Sequence, residues 1–361
     1  MRMRKHFATG AAMAAAATMV LTACGGGSST STSTSSSSSD SGAPKGTITV
    51  GSAYETTDYS PITTSALGMG ANWQVLEGLY RFDMSDYSVS PALAAGDPVK
   101  VSDTEYEIAL RDGAKFSDGT DVKAADVVSS YERTTGDKSI FRQFFTFVDS
   151  VSAKDDKTVT VKLKYPFSNL KERFVNVHVV PSGMSEDALK AKPIGSGPYK
   201  YEAISATEIT AVPNEHYNGK IPAKVATLKW SALKDDAARL SAALGGSIDV
   251  MEAVPAAAQD QLKAAGWNVE AKPGYGNPFM MFNTQKAPFN KPEVRRAFLK
   301  AIDKQKLISS ALNGQAVEAK SFLPEANPAY KKPATDLSYD KDAAKKLLAD
   351  AGASDMTVNL V

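Results

Sequence analysis

Leu110-Arg111-Asp112-Gly113-Ala114-Lys115-Phe116-Ser117-Asp118-Gly119-Thr120 sets two Asp-Gly pairs around one aromatic residue. Asp-Gly favours a tight turn, because Asp bonds nearby backbone and Gly accepts a left-handed conformation. The two pairs therefore bracket a short strand around Phe116. Upstream, Tyr106, Ile108 and Leu110 alternate with polar residues, the period of a half-buried strand. Downstream, Ala124, Ala125, Val127, Val128 and Tyr131 recur at helical spacing, and Gly136 ends the helix. Val159, Val161, Leu163 and Tyr165 alternate again. Both periods in one stretch predict a mixed α/β body.

The same signals extend outward. Thr47-Ile48-Thr49-Val50 alternates as a strand opening the folded part near Lys45. A helix is predicted from about Asp235 to Leu244, stopped by Gly245-Gly246, and another from Pro255 to Gly266. A third opens at Asn290 with Pro292 just inside and Val294, Ala297, Phe298, Ala301 and Ile302 on one face. A fourth has Asp340 as N-cap and Gly352 as its stop. Strands and helices mix without strict alternation and without an internal repeat, which predicts more than one lobe. After Gly352, Met356-Thr357-Val358-Asn359-Leu360-Val361 alternates like a strand that lacks a return connection. That pattern predicts a chain that stops inside an unfinished lobe.

The 361 residues carry 41 Lys+Arg against 40 Asp+Glu, with 43% hydrophobic and 22% charged residues. This balance excludes a nucleic-acid binder working by bulk charge, and it excludes wholesale disorder. The single cysteine excludes an internal disulfide or a cysteine metal cage. The three histidines, His6, His178 and His216, leave no histidine-rich metal site.

The N-terminus reads as an address. Arg2, Arg4 and Lys5 precede an apolar run from Phe7 to Ala23, the layout of an export signal. It closes with Leu21-Thr22-Ala23-Cys24, similar to the lipobox at which bacterial lipoproteins are cleaved before an acylated cysteine. Several acyl chains on Cys24 would hold the protein stably at a membrane. Gly25–Gly27 and the Ser/Thr tract from Ser28 to Ser39 cannot bury a core, so residues 24–44 form a flexible tether. Without residues 1–23 the chain keeps 38 basic against 40 acidic residues, so no basic patch invites a polyanion.

Catalytic patterns are thin. No nucleophile elbow, zinc-protease helix or phosphate loop is present. Ser168-x-x-Lys171 and Ser231-x-x-Lys234 match the serine–lysine pattern of penicillin-recognising enzymes, without that class's accompanying elements. His178 lies among valines at a sheet position, and His216 in a loop between Asn214 and Asn218. Gly195-Ser196-Gly197-Pro198 is too compact for a nucleotide fingerprint and reads as a tight turn needing unusual dihedrals.

Several phrases together carry a family resemblance. They include Glu77-Gly78-Leu79, Pro91-Ala92-Leu93-Ala94, and Leu110 to Thr120 with Asp126-Val127 following. Pro193-Ile194-Gly195-Ser196-Gly197-Pro198-Tyr199 belongs too, with Ser196 where the family usually has Thr. Gly246-Ser247-Ile248-Asp249, Asn283 to Asn290, Val294-Arg295-Arg296-Ala297 and Ala344-Lys345-Lys346-Leu347-Leu348 complete the ordered set. From residue 47 on, the chain resembles the oligopeptide/dipeptide/nickel class of extracytoplasmic solute-binding proteins (family 5), the receptors of ATP-driven importers.

The resemblance implies an α/β bilobal clamp of the type II periplasmic-binding-protein kind, with an extra inserted subdomain. Lobe I would comprise residues 45–76 and 184–276, the inserted subdomain 77–183, and the start of an incomplete lobe II 277–361. It implies no cofactor, no metal and no catalysis. In peptide-binding relatives the ligand adds as a strand to protein backbone. Transferred to this sequence, that backbone is Ser65, Ala66 and Leu67, with Phe141 an aromatic from the subdomain. Glu252 follows the Ile248–Val250 strand, and Tyr275 and Phe279 sit at the crossing into lobe II. Arg111 is expected to be a surface or inter-lobe pairing residue sooner than a ligand contact. The expected function is a receptor, lipid-anchored through Cys24 on the outer face of the cytoplasmic membrane. It would pass a solute, first of all a short peptide, to permease and ATPase subunits. An oligosaccharide or chelated metal is the alternative within this class. A secreted serine–lysine hydrolase and a non-transporting surface interaction protein are the alternatives outside it.

Overall fold

The alternation at Thr47–Val50 forms β1 (Thr47–Ser52), whose last two residues are buried. The computed structural model describes residues 43–359, apart from residues 87, 272, 273, 275, 277, 326 and 328. The readings of the export signal, of Cys24, of the Ser/Thr tract and of Tyr275 lie outside these residues. A loop leads from β1 to α1 (Ala66–Val75).

The chain then forms β2 (Glu77–Gly78), β3 (Tyr80–Phe82), β4 (Val89–Pro91), β5 (Val99–Ser102) and β6 (Glu105–Ala109). The predicted helix is α2 (Ala124–Thr134), and the Asp126 carboxylate closes its first turn by accepting from the Lys123 N–H at 2.9 Å. β7 (Val148–Asp155), β8 (Thr158–Leu163), α3 (Leu170–Phe174) and β9 (His178–Val179) follow. Strands β5-β6-β8-β7 make an antiparallel sheet in that order. α2 packs on β7 and β8. The fully buried side chains of this core, among them Ile108, Phe116, Val127, Val161 and Phe174, all fall between Leu79 and Val179. Phe116 itself is not in a strand; Lys115 and Asp121 form only an isolated bridge. Gly113 and Gly119 take φ of 65° and 88°, the left-handed turns expected of the two Asp-Gly pairs.

The chain continues through α4 (Glu186–Ala191), β10 (Tyr199–Ile204), β11 (Glu208–Pro213), β12 (Thr227–Ala232), α5 (Asp236–Leu244), β13 (Val250–Met251) and α6 (Gln259–Ala264). A second sheet has the order β10-β11-β12-β1-β13, with β1 parallel to both neighbours. Its core joins Leu67, Ala71 and Val75 of α1 to Tyr199, Tyr201, Ile209 and Trp230. The turn around Ser196 requires a correction. Neither Gly195 nor Gly197 has positive φ. Space is the reason for both glycines: an added Cβ would sit 2.1 Å from the Val75 carbonyl oxygen at Gly195 and 2.6 Å from it at Gly197.

Further on, α7 (Pro292–Ala301), α8 (Lys304–Ala311) and α9 (Lys341–Asp350) follow. Phe282, Phe289 and Phe298 cluster with ring centroids 5.0–5.5 Å apart. Asp340 caps α9 by accepting from the Ala343 N–H at 2.9 Å, and Gly352 ends it with φ of 65°. The strand predicted after Gly352 does not form over residues 356–359, which are irregular. They have no sheet partner among the described residues, and an extended segment without a ladder leaves its backbone groups to solvent.

Candidate functional site

Two places in the molecule gather polar groups. The first is the carboxyl edge of the parallel strands, where β1, β12 and β13 end at Ser52, Ala232 and Met251. Crevices at such edges are where open α/β sheets take ligands. Here the buried Ser52 hydroxyl donates to the Glu252 carboxylate at 2.6 Å, and the Glu252 N–H donates to Gly51 at 3.0 Å. Behind them lies Arg239, only 1% exposed. Its guanidinium donates to the carbonyls of Leu233, Lys234, Glu252 and Ala253 at 2.7–3.2 Å, and to Asp236 at 2.6 Å. One side chain thereby ties the exits of β12 and β13 together. Burying a cation this deeply is tolerable because every donor direction meets an acceptor.

The second place is a groove beside α1. Asn72, fully inside, donates to the carbonyls of Tyr59 and Ser60 at 3.0 and 3.2 Å and accepts from the Tyr201 hydroxyl at 2.8 Å. These bonds fix α1 on the sheet and leave Met69 and Trp73, one turn apart, on the groove side. The cavity there measures about 940 Å³, and its walls include Arg81, Phe82, Phe141, Glu172, Tyr217 and Lys220.

At the base of the groove, the Glu77 carboxylate meets both terminal nitrogens of Arg111, at 3.1 and 3.2 Å. Arg111 also donates to Asn218 at 2.9 Å and to the Ala92 carbonyl, and its guanidinium lies 5.7 Å from the Tyr217 ring centre. It thus bridges the stretch before α2 and the loop after β11, while also lining the groove. Burial raises the Glu77 pKa above the ordinary carboxylate value, and the Arg111 bonds and charge oppose that rise. The fully buried Ser196 hydroxyl lies beside the same carboxylate and also opposes the rise, without reaching hydrogen-bond geometry. His178 donates from Nδ1 to the Pro61 carbonyl at 3.3 Å, and burial pushes its imidazole below its usual range.

The residues singled out from sequence fall in different places. Phe141 lines the groove, on a short 3-10 turn, with its ring against Phe144. Glu252 sits at the sheet edge. Phe279 is exposed and stacks on Phe322 at 5.6 Å. Ser65 is the N-cap of α1, while Ala66 and Leu67 form its first turn. The three are therefore not a continuous extended edge open to strand addition: Ser65 is extended, but the helical dihedrals of Ala66 and Leu67 turn the backbone away from a ladder, and the Leu67 side chain is buried in the core. The Ala66 and Leu67 N–H groups lie at a helix start, while that of Ser65 donates to the Thr63 hydroxyl at 3.3 Å. Lys171 pairs with Asp97 at 3.1 Å and Lys234 with Glu55 at 2.9 Å, so the amines of both serine–lysine patterns are engaged with carboxylates. Sequence reasoning missed Met69, Trp73, Glu172, Tyr217 and Lys220. The i, i+4 spacing of Met69 and Trp73 was the one signal available for the first two.

Comparison with known proteins adds an independent finding. A family model described as bacterial extracellular solute-binding proteins, family 5 Middle, matches residues 88–360. The glutathione-binding protein GsiB of Salmonella typhi is 28% identical over 324 residues, covering 85% of this chain and 61% of that protein. The chain thus spans about three-fifths of the length of such curated relatives. Among solved structures, AgaA of A. tumefaciens R10 in complex with agropinic acid matches with a TM-score of 0.74 and 27% identity, over 86% of this chain and 65% of that one. The oligopeptide-binding protein AppA of Bacillus subtilis, in complex with a nonapeptide, matches with a TM-score of 0.72 and 23% identity, over the same shares of 86% and 65%.

Proposed function

Because this chain belongs to the bacterial extracellular solute-binding proteins, family 5, and has their type II periplasmic-binding-protein fold, we propose that it is a solute receptor of an ATP-driven importer. The observation that carries this reading is the groove of about 940 Å³ between α1 and the β3–β4 region, lined by aromatic and charged side chains. A cavity of that size suits a small extended solute. The solute is first of all a short peptide, captured outside the cytoplasmic membrane and handed to permease and ATPase subunits. Binding energy would act by favouring a closed arrangement of the lobes over an open one. The protein binds and does not catalyse. Cys24 carries the acyl anchor and residues 24–44 are the tether. The curated relative GsiB is named for glutathione, which supports a peptide.

Calorimetry of the full chain against several unrelated short peptides tests the receptor reading. Micromolar or tighter binding of more than one is expected. Binding of cello- or chito-oligosaccharides with indifference to peptides would replace the peptide by a sugar. Radiolabelled palmitate should mark the wild type and not the Cys24→Ser variant; label on both would remove the anchor.

A further inference from the structure

The stretch between β2 and β9 leaves and returns through one short ribbon. Glu77 and Gly78 of β2 pair antiparallel with Val179 and His178 of β9. Facing residues share a side of such a ribbon and successive ones alternate, so Glu77 and His178 point to opposite sides. The Glu77 side meets Arg111, and the His178 side meets the loop after β1, where Nδ1 lies 3.3 Å from the Pro61 carbonyl oxygen. A carbonyl only accepts, so Nδ1 carries the proton of the neutral ring and Nε2 keeps its lone pair. Among the described residues, the side-chain polar atoms both buried and without a partner are Arg133 Nη1 and Ser196 Oγ. His178 Nε2 also has no partner there, so it touches open space, and the ring lines the groove.

No charge stands ready to compensate an imidazolium at this place. Glu77 faces away and is held by Arg111. On α2, which packs on β9, the Asp126 carboxylate is taken by the Lys123 and Ser182 N–H groups, both at 2.9 Å. In the loop before Pro61, Asp58 accepts from the Ser60 N–H at 2.8 Å. On α3, Arg173 lies over the Phe144 ring, and the exposed Glu172 borders the groove. Burial holds the imidazole below its usual range, and the Pro61 bond is what opposes it.

We propose that a proton on His178 Nε2 and a solute in the groove exclude each other, so that the receptor loads at neutral pH and releases in acid. With the groove empty, water reaches Nε2 and supports a cation there. A solute packed over that edge removes the water and would leave a buried cation without a partner, so the ring gives up its proton. By linkage, acid that restores the proton expels the solute. Affinity is then full above the folded-state pKa of the empty receptor and is lost as pH falls through it. This inference rests on the reading of the groove as the solute site; it concerns when a solute is held and not which one.

The test is calorimetric titration of the full chain with Ala-Ala-Ala at about pH 7 and about pH 5.5, between which both peptide ends keep their charges. Binding should be about threefold weaker at the lower pH, with net proton release seen as a dependence of the heat on the buffer's ionisation enthalpy. His178→Asn keeps a donor for Pro61 and removes Nε2; it should abolish both effects. In the wild type, the His178 Cε1–H resonance, identified by its loss in His178→Asn, should titrate at lower pH when the peptide is bound than when it is absent. The same pH dependence in His178→Asn, or an identical His178 titration with and without bound peptide, would overturn the proposal while the receptor reading stands. If neither Ala-Ala-Ala nor any other short peptide binds at either pH, the peptide-receptor reading fails and this proposal with it.

Discussion

Replacing Arg111 by methionine should expose a strong electrostatic dependence of the fold. Glu77 is 8% exposed and its carboxylate is held by two guanidinium nitrogens at 3.1 and 3.2 Å. Burial already raises its pKa above 4.5 despite Arg111. Removing the cation leaves a buried carboxylate uncompensated, which costs about 3–5 kcal/mol. The pH dependence has a definite sign. An acid with a raised folded-state pKa binds more protons when folded, so its contribution is full below the unfolded value and is lost as pH rises through the folded one. Without Arg111 the folded value climbs further, so the deficit should widen between about pH 5 and pH 8. Adding Glu77→Gln removes the buried charge and should recover about 2–3 kcal/mol. The remaining loss comes from the Ala92 and Asn218 bonds and the Tyr217 contact. Urea unfolding of the single and double variants at both pH values measures these terms. A cost of Arg111→Met under about 1 kcal/mol at pH 8, or the same cost with and without Glu77→Gln, would refute the reasoning.

Four further outcomes are expected. Gly195→Ala should destabilise by more than about 2 kcal/mol, because its Cβ must displace the Val75 carbonyl. Gly70→Ala, mid-α1 with nothing within 4 Å of the new Cβ, should stabilise by about 0.5–1 kcal/mol; thermal melts of the pair check the contrast. Arg239→Met strips donors from four carbonyls and should cost about 3 kcal/mol or more, with amide exchange accelerated at residues 233–236 and 252–254. His178 has a depressed folded-state pKa, so stability should fall as pH drops below about 6.5, and His178→Phe should remove that component of the pH profile.

Local signals were legible. The cap at Asp340, the alternation of β1 and β8 and the Asp-Gly turns all act within a few residues, so the sequence by itself determined those elements. The ordered phrases from Glu77 to Ala351 likewise sufficed for the family and the α/β fold. α1 was not legible as a helix. It contains Gly68 and Gly70 and has no side-chain cap, so its propensity is poor; Asn72 and the packing of Leu67, Ala71 and Val75 against the second sheet hold it. The extended reading of residues 65–67 rests on the family resemblance alone. The glycines at 195 and 197 were visible, yet their reason was the approach of the Val75 carbonyl from far away in sequence. The groove arises in the same way, since Trp73, Phe141, Glu172 and Lys220 share no local pattern and meet only once two sheets and their helices are packed. Periodicity reports which face of an element is buried; only the tertiary structure decides which distant side chains that burial brings to one cavity.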